Sequence, residues 1–419
     1  MSEWKALSSI TSKIGSGSTP RGGNSVYSDS GISFIRSQNV LDMDFSTENL
    51  AFINDNQAEK LNNVIVEKND ILLNITGDSI ARCTVVPEEI LPARVNQHVS
   101  IIRCKNTEES KYVMYYLQYM KKYLLQISKV GGTRNALTKE AIGKLPIKIS
   151  DDCNEISKIL DNIDQKIQIN NQINQELEAM AKTLYDYWFV QFDFPDQNGK
   201  PYKSSGGKMV YNPELKRDMP EGWGVEKLGE LAQFKNGINY EKTSSGSEKV
   251  KIINVRNISS STIFINQTDL DEIFLENDKS TNFIVNEGMI LITRSGIPGA
   301  TRLVSELEAK TVYSGFIIAS EVNDLINKNL IFYYLKNVEE VLKNQSAGTI
   351  MKNISQSVLT DMIVSLPPQN VLLKFNSIID NLLEQMKNVQ RQNQELTQLR
   401  DWLLPMLMNG QVRVENYTD

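Results

Sequence analysis

Few side chains of the types that do chemistry occur in this sequence. It contains one histidine, His98, and three scattered cysteines, Cys83, Cys104 and Cys153. A single histidine cannot supply a His-ligated metal centre or a His-based catalytic triad in two places. The cysteines form no C-x-x-C pair and no even-numbered disulfide framework. We therefore expect three reduced thiols in a cytoplasmic protein.

The sequence motifs of nucleotide-dependent and cofactor-dependent enzymes are also missing. The sequence contains neither a Walker A loop nor a G-x-G-x-x-G fingerprint. It also lacks the Asn-Pro-Pro-aromatic string with which adenine-methylating enzymes hold a flipped base. The carboxylate–lysine fragments at 109–111 and 308–310 are short and frequent by chance. No catalytic, metal or cofactor site is expected in this chain.

Composition indicates a soluble globular protein of two or three domains. The chain has 419 residues, of which 40% are hydrophobic and 23% charged. The formal net charge is −6, which argues against a protein that binds nucleic acid alone, since phosphates must be neutralised by basic side chains. No apolar run approaches the ~18 residues that span a bilayer, and no signal-peptide pattern is visible.

The sequence repeats itself at an offset of about half its length. The string NQEL at 174–177 returns at 393–396, and ILDN at 159–162 returns as IIDN at 378–381. Looser matches upstream keep the same order. We therefore predict a pseudo-two-fold internal repeat of two globular α+β domains, each followed by a long helix.

The predicted boundaries follow from this repeat and from the local pattern. Short apolar runs bounded by Gly, Asn, Asp and Ser are typical of strands with turns. The prediction assigns 1–150 to the first domain, 151–195 to the first helix, 196–220 to a linker, 221–367 to the second domain, 368–410 to the second helix and 411–419 to a C-terminal tail.

Apolar residues recur every seven positions in both helical segments, which is the pattern of a coiled coil. For a single helix the same pattern equally suits a long core helix. Two helices of matching phase favour an antiparallel coiled coil with one globular domain at each end. The predicted seam consists of Ile156, Ile159, Ile163, Asn170, Ile173, Leu177, Phe375, Ile378, Leu382, Val389, Leu396 and Leu399.

One stretch of the sequence is recognisable. The strings LYDYWFVQFDFP at 184–195, NGKPYKSSGGKM at 198–209 and PEGW at 220–223 resemble the central region of specificity (S) subunits of type I restriction-modification systems. Four other strings also resemble sequence motifs of this family: GSTP at 17–20, VNQHV at 95–99, LPPQ at 366–369 and LLPML at 403–407. The resemblance covers essentially the whole chain.

The resemblance implies a non-catalytic subunit. Each α+β domain would be a target recognition domain that reads one half of a split sequence in double-stranded DNA, and the coiled coil would set the spacer. Two methyltransferase (M) subunits would supply S-adenosylmethionine and the adenine chemistry. Motor-nuclease (R) subunits would bring ATP and Mg. No cofactor is expected in this chain itself, and no membrane.

Candidates for reading DNA are polar side chains on turns that follow strands. In the major groove, Arg or Lys pairs with guanine and Asn or Gln with adenine. The candidates are Arg21, Arg36, Gln38, Asn39, Arg94, Gln97, Lys129 and Arg134 in the first domain, and Asn254, Arg256, Asn257, Arg294, Tyr313, Lys352 and Asn353 in the second.

Some of these residues have a second interpretation. Asn39 and Asn257 recur in both domains, which favours a shared turn-forming role. Arg36 and Arg256 suit phosphate anchors as well as base readers. For the aromatic cluster within 185–194, packing against a neighbouring helix or domain is favoured over base stacking. A docking surface for a methyltransferase subunit is the intermediate alternative.

Two other functions remain open on the sequence alone. A non-catalytic adaptor whose two domains bind proteins would expose many aromatic side chains and show no salt-sensitive DNA binding. An enzyme with an unrecognised site would gather perturbed carboxylates in one pocket. The two similar domains favour DNA specificity, since a split site demands that layout.

Overall fold

The computed structural model describes residues 3–20, 22–129, 135–240, 246–345 and 353–414. The chain forms two compact units: unit 1 contains Met1–Ile169 and Gln392–Asp419, and unit 2 contains Asn170–Arg391. Each unit therefore combines one α+β domain with part of each long helix. The units cut across the predicted helical segments because each helix end packs into the core of a domain.

Unit 1 contains two four-stranded sheets. One has the order β2-β9-β6-β7 and is antiparallel; the other has the order β4-β3-β8-β5, in which β3 and β8 are parallel. The strands are β1 (Glu3–Ala6), β2 (Thr11–Ser16), β3 (Ile32–Ile35), β4 (Ala51–Ile53), β5 (Ile65–Val66), β6 (Ile71–Asn74), β7 (Cys83–Val85), β8 (Ala93–Val95), β9 (Val99–Cys104) and β10 (Pro146–Ile149). The helices are α1 (Leu7–Ile10), α2 (Asp55–Glu59), α3 (Ser110–Tyr119), α4 (Lys121–Ile127), α5 (Lys139–Gly143) and α6 (Cys153–Tyr185), which continues into unit 2.

Unit 2 repeats this plan. Its antiparallel sheet has the order β14-β20-β17-β18, and its second sheet, β16-β15-β19, contains the parallel pair β15–β19. The strands are β11 (Met209–Asn212), β12 (Arg217–Pro220), β13 (Gly224–Lys227), β14 (Ala232–Asn236), β15 (Glu248–Ile253), β16 (Asp271–Leu275), β17 (Ile290–Thr293), β18 (Thr301–Leu303), β19 (Thr311–Tyr313), β20 (Ile317–Val322) and β21 (Ile363–Leu366). The helices are α7 (Leu228–Leu231), α8 (Val255–Ser259), α9 (Asn277–Ser280), α10 (Lys328–Gln345), α11 (Gln356–Thr360) and α12 (Gln369–Asn409), which ends in unit 1. The predicted α+β class and internal repeat are confirmed.

The central strands are apolar throughout because both of their faces are covered. In β6, Ile71 and Leu73 pack in one hydrophobic cluster and Leu72 in another. In β17, Ile290 and Ile292 pack in one cluster and Leu291 in another. A strand buried on both sides reads as a continuous apolar run rather than an alternating one.

A two-stranded antiparallel ribbon closes each domain. β1 pairs with β10, with Glu3 opposite Ile149. β13 pairs with β21, with Gly224 opposite Leu366. The chain therefore enters and leaves each domain at neighbouring points, and a long helix begins a few residues after each ribbon.

The predicted seam is half correct. The rows that contain Ile156 and Phe375 include the buried residues Ile156, Ile163, Asn170, Leu177, Phe375 and Leu382. Val389 and Leu396 of the same rows are half-buried. The companion row is more exposed: Ile159 is half-buried, and Ile173, Ile378 and Leu399 are exposed. The buried residues that accompany the first row lie four positions after its members, as Leu160, Ala181, Ile379 and Met386 do. Successive seam residues of a coiled coil are three or four positions apart. Apolar residues occur at both spacings here, as Ile159 and Leu160 do, so the seven-residue period alone could not show which of them lies in the seam.

The two helices pair within each unit. In unit 1, Arg400 of α12 donates to Asp164 of α6 at 2.7 Å, and Ile156 and Leu407 line one surface depression. The later residue of α6 lies beside the earlier residue of α12, so the two helices run in opposite directions in unit 1, as predicted for an antiparallel pair. In unit 2, Phe189, just beyond α6, packs edge-to-face on Phe375, with ring centroids 4.7 Å apart.

The segment 196–220, predicted as a linker, is folded. It forms the β11–β12 hairpin, and its Tyr202 stacks on Phe194 with ring centroids 4.7 Å apart. Asp193 accepts hydrogen bonds from the backbone and the hydroxyl of Ser204. The Gly and Ser residues of this segment are typical of loops, so the sequence pattern did not indicate a folded hairpin.

The aromatic cluster at the end of α6 forms part of the core of unit 2, so the packing interpretation is confirmed for its buried members. These are Tyr185, Trp188, Phe189, Phe192 and Phe194, whereas Tyr187 is exposed. In the part of the chain that the structure describes, no helix has both the length and the apolarity to cross a bilayer.

Candidate nucleic-acid interface

Four segments of unit 1 meet at one edge of its sheets. Because β3 and β8 are parallel, their last residues, Ile35 and Val95, lie side by side. The end of β6 pairs with Val99 at the start of β9, and Thr76 bridges to Ala136. We call this surface, formed by residues 36–39, 75–79, 96–98 and 135–136, the unit 1 loop edge.

The unit 1 loop edge forms a concave surface whose cavity has a volume of about 880 Å³. Most of the residues that line it are polar, so they offer hydrogen-bonding groups to a polar partner. The lining residues are Ser37, Gln38, Thr76, Gly77, Asp78, Ser79, Arg82, His98, Asn135 and Ala136.

A glycine lets the N-terminal segment reach this edge. The Gly17 amide donates to the Val99 carbonyl at 2.9 Å, and a β-carbon at Gly17 would overlap the carbonyl oxygens of Val95 and Asn96. The close approach therefore requires glycine, which explains the first residue of the GSTP string.

His98 lines the concave surface and is held by hydrogen bonds to its neighbours. Its Nδ1 lies 2.5 Å from the Thr76 hydroxyl and its Nε2 lies 3.2 Å from the side-chain Nε2 of Gln97. Its backbone amide donates to the Asn96 side chain at 3.0 Å. The ring is thus positioned by its neighbours while the exposed Gln97 and Gln38 flank the same surface.

Two candidates of the first domain have structural roles instead. Asn39 is fully buried: it accepts from the Arg36 amide at 3.1 Å and donates to the Ser46 carbonyl at 2.9 Å. Arg94 is buried and donates to the Ala93 carbonyl and to the Asn62 side chain. Burial lowers the pKa of Arg94. Neither side chain is available to DNA in this conformation, because both are buried and hydrogen-bonded within the domain.

The remaining candidates of the first domain differ in exposure. Arg36 is half-buried, donates to the Asn49 carbonyl at 2.6 Å and lies 5.8 Å from the Tyr27 ring centroid. Gln38, Gln97 and Lys129 are exposed. Arg21 and Arg134 lie outside the described residues.

Unit 2 has an equivalent surface. Ile253 and Tyr313 are paired at the ends of the parallel strands β15 and β19, and Thr293 pairs with Ile317. We call residues 254–257, 294–299, 314–316 and 353–354 the unit 2 loop edge. Gly237 corresponds to Gly17, because a β-carbon there would overlap the carbonyl oxygens of Tyr313 and Ser314.

The candidates of the second domain divide in the same way. Asn257 is buried and repeats the turn of Asn39: it accepts from the Asn254 amide at 2.8 Å and donates to the Asp269 carbonyl at 2.8 Å. The shared turn-forming role is confirmed. Tyr313 is buried in the core, and burial raises its pKa to about 12; its ring is not available to DNA in this conformation.

The cationic candidates of the second domain have partners of their own. Arg256 is paired with Asp269 at 2.8 Å and Asp271 at 2.7 Å, so a phosphate would have to compete with two carboxylates. Arg294 is half-buried and donates to the Gly315 carbonyl at 3.3 Å. Asn254 is half-buried and Asn353 exposed, whereas Lys352 lies outside the described residues.

Sequence reasoning missed several residues of these surfaces. Asp78, Ser79, Arg82 and Asn135 line the concave surface of unit 1. A turn with a positive-φ glycine, Gly77 or Gly296, follows the central strand in both units, and this glycine was the available signal. Among the described residues, no group of three or more His, Cys, Asp or Glu side chains is placed to hold a metal ion.

Comparisons with known proteins match both halves of the chain. The family model for the type I restriction modification DNA specificity domain matches residues 2–179 and again residues 220–398. The MjaIX specificity subunit of a type I restriction enzyme from Methanocaldococcus jannaschii is 27% identical over 77% of this chain and 74% of its own length. The HindI specificity subunit from Haemophilus influenzae is 25% identical over 67% of this chain and 72% of its own.

A solved structure agrees at the level of the fold. The S subunit of a type I restriction-modification system from M. genitalium superposes with a TM-score of 0.53 over 97% of this chain and 96% of that chain, at 14% identity. Two domain matches that together cover most of the sequence, each falling on one copy of the repeat, establish that this chain belongs to the type I restriction-modification DNA specificity family.

Proposed function

We propose that this chain is the DNA sequence-specificity subunit of a type I restriction-modification complex, and that each loop edge reads one half of a bipartite target. One observation carries the proposal: the same backbone edge occurs in both units but presents different side chains. Matched positions hold His98 and Phe316, and Asp78 and Ile297. A repeated frame with different contact residues suits two different half-sites.

The spacer between the half-sites is proposed to depend on the two long helices. The helix α12 has 41 residues and is therefore about 62 Å long. Polar residues among buried ones, such as Asn170 and the Asp164–Arg400 pair, would fix the register of the helices.

The partners are proposed to be two methyltransferase subunits, which carry S-adenosylmethionine, and motor-nuclease subunits, which carry ATP and Mg. The apolar residues that the helices leave exposed suit docking of these subunits. They include Ile173, Met180 and Ile378 in unit 2, and Leu399 and Trp402 in unit 1. The partners would also supply phosphate contacts that a chain of net charge −6 lacks.

The experiment is to co-express the chain with its methyltransferase subunit and to map methylated adenines by long-read sequencing. We expect a motif of two short defined blocks. Exchanging residues 221–367 for those of a relative should alter one block and leave the other unchanged. An assembled complex that binds S-adenosylmethionine and methylates no motif would refute the proposal.

The net charge of −6 favours one competitor, a two-headed adaptor that binds proteins. The two functions differ in their response to salt. The specificity subunit within its complex should lose DNA affinity steeply as salt rises, because counterions are released on binding. An adaptor complex should show no such dependence.

A further inference from the structure

The two loop edges can be compared residue by residue through their strand pairing. Val99 pairs with Asn74 in unit 1, and Ile317 pairs with Thr293 in unit 2. The residues just before these strands, His98 and Phe316, are therefore matched. The backbone agrees, since the Ile75 amide donates to the His98 carbonyl at 2.9 Å and the Arg294 amide to the Phe316 carbonyl at 2.8 Å.

Phe316 displays an apolar ring from a fixed backbone. Its side chain is 63% exposed. The residues on either side are bonded: the Gly315 amide donates to the Ile238 carbonyl at 2.7 Å and the Ile317 amide to the Ser314 carbonyl at 2.9 Å. Binding of a partner to this ring would therefore cost little conformational entropy, because the backbone of the segment is already ordered.

The neighbouring turn has the same character. Gly77 and Gly296 both have positive φ, at 79° and 83°, and each is followed by an exposed residue, Asp78 in unit 1 and Ile297 in unit 2. Where the unit 1 loop edge presents a carboxylate and an imidazole, the unit 2 loop edge presents isoleucine and phenylalanine. The two surfaces therefore favour different chemical features of DNA.

The C5-methyl group of thymine is the apolar feature that base pairs present in the major groove, and phenylalanine is one of the side chains that contact it. We propose that the half-site read by unit 2 contains a thymine whose methyl group packs against Phe316. This inference rests on the proposed function of the chain. Arg294, whose guanidinium donates to the Gly315 carbonyl, places a positive charge beside the same loop.

The test uses the full chain in complex with its methyltransferase subunit. Once the motif is mapped and one block is assigned to unit 2, each thymine of that block is replaced in turn by deoxyuridine, which lacks only the methyl group. Affinity is measured by fluorescence anisotropy at fixed salt. At one position we expect deoxyuridine to weaken binding about fourfold, the effect of one buried methyl group.

The variants identify the side chain responsible. Phe316→Ala and Phe316→His should bind the thymine and deoxyuridine duplexes equally. Leu325→Ser is the matched control: Leu325 is 76% exposed and follows the opposite end of β20, so its loss should leave the ratio unchanged.

Three results would overturn the inference and one would remove its basis. The inference fails if the unit 2 block contains no thymine or if no deoxyuridine substitution weakens binding. It also fails if Phe316→Ala weakens binding to both duplexes by the same factor, which would indicate a wedge between bases. Absence of any methylated motif would instead be a failure of the proposed function.

Discussion

Arg400 of α12 donates to one carboxylate oxygen of Asp164 at 2.7 Å, and the Tyr115 hydroxyl donates to the other at 2.6 Å. The Arg400 and Asp164 side chains are 14% and 10% exposed, so this junction between helices and domain is largely removed from water. Burial raises the pKa of Asp164 despite its two donors. The pair therefore joins α6 to α12 in unit 1 at an electrostatic cost.

Removing one partner of this pair should be strongly destabilising. Arg400→Met leaves the carboxylate without its cation and is expected to lower the free energy of unfolding by about 3–5 kcal/mol. Arg391→Met is the control in the same helix, because the Arg391–Glu306 pair is exposed and should be worth less than about 1 kcal/mol. Urea unfolding followed by circular dichroism measures both, and equal losses would contradict the assignment.

The same carboxylate predicts a pH dependence. Because the folded-state pKa of Asp164 is raised, the folded protein binds this proton more tightly than the unfolded chain does. Protonated Asp164 therefore adds stability below the unfolded value of about 3.9, and this stability is lost as the pH rises through the folded pKa. The difference in unfolding free energy between the natural protein and Asp164→Asn should fall with rising pH.

For Asp193→Asn we expect a pH dependence of stability with the opposite sign. The Ser204 hydroxyl and amide hold the pKa of Asp193 below its usual range, so its contribution is present above the unfolded pKa and lost as the pH falls. The corresponding difference should rise with pH. Parallel trends for the two variants would contradict the assigned causes.

Gly17→Ala should disturb the unit 1 loop edge. Its β-carbon would overlap two carbonyl oxygens, so we expect about 1–3 kcal/mol of destabilisation and loss of methylation at the mapped motif. Gly15→Ala, two residues earlier, meets no atom within 4 Å and should change stability by less than about 0.5 kcal/mol. Thermal unfolding and methylation mapping distinguish the two variants.

Gln38→Ala tests base reading by unit 1. The exposed Gln38 lines the concave surface, and loss of a bidentate contact should cost about 1–3 kcal/mol of discrimination at one base position. The block read by unit 2 should stay the same. Gln126→Ala, an exposed position in α4, serves as control, and relaxation of both blocks would argue against a direct contact.

Shortening both helices tests the proposed spacer. Deleting 167–173 together with 391–397 removes one heptad from each helix, or about 10 Å. The preferred spacer should become about three base pairs shorter. Methylation mapping reads this directly, and an unchanged spacer would contradict the dependence on helix length.

The sequence predicted the repeat, the fold class and one row of each seam, because these depend on patterns that recur along the chain. It did not separate Ile159 from Leu160, or Ile378 from Ile379, as the companion row, since adjacent apolar residues satisfy either spacing. It also could not show that Arg94 and Tyr313 are buried. Both residues belong to strands whose covering sheet neighbours are distant in sequence.

The residues of the loop edges were predicted only in part for a similar reason. Asn39 and Asn257 could be assigned to turns because they recur. Arg82 and Phe316 reach their surfaces through antiparallel pairing, and no local pattern marks them. Tertiary pairing, rather than propensity, decides which polar or aromatic side chain is presented.

The ribbons that close the domains make each one a cassette. Because β1 lies against β10 and β13 against β21, a domain joins the rest of the chain at two adjacent points. A genetic exchange bounded by those two points would replace an entire loop edge and leave both helices intact. Under the proposed function, one recombination event would therefore change one half of the DNA target.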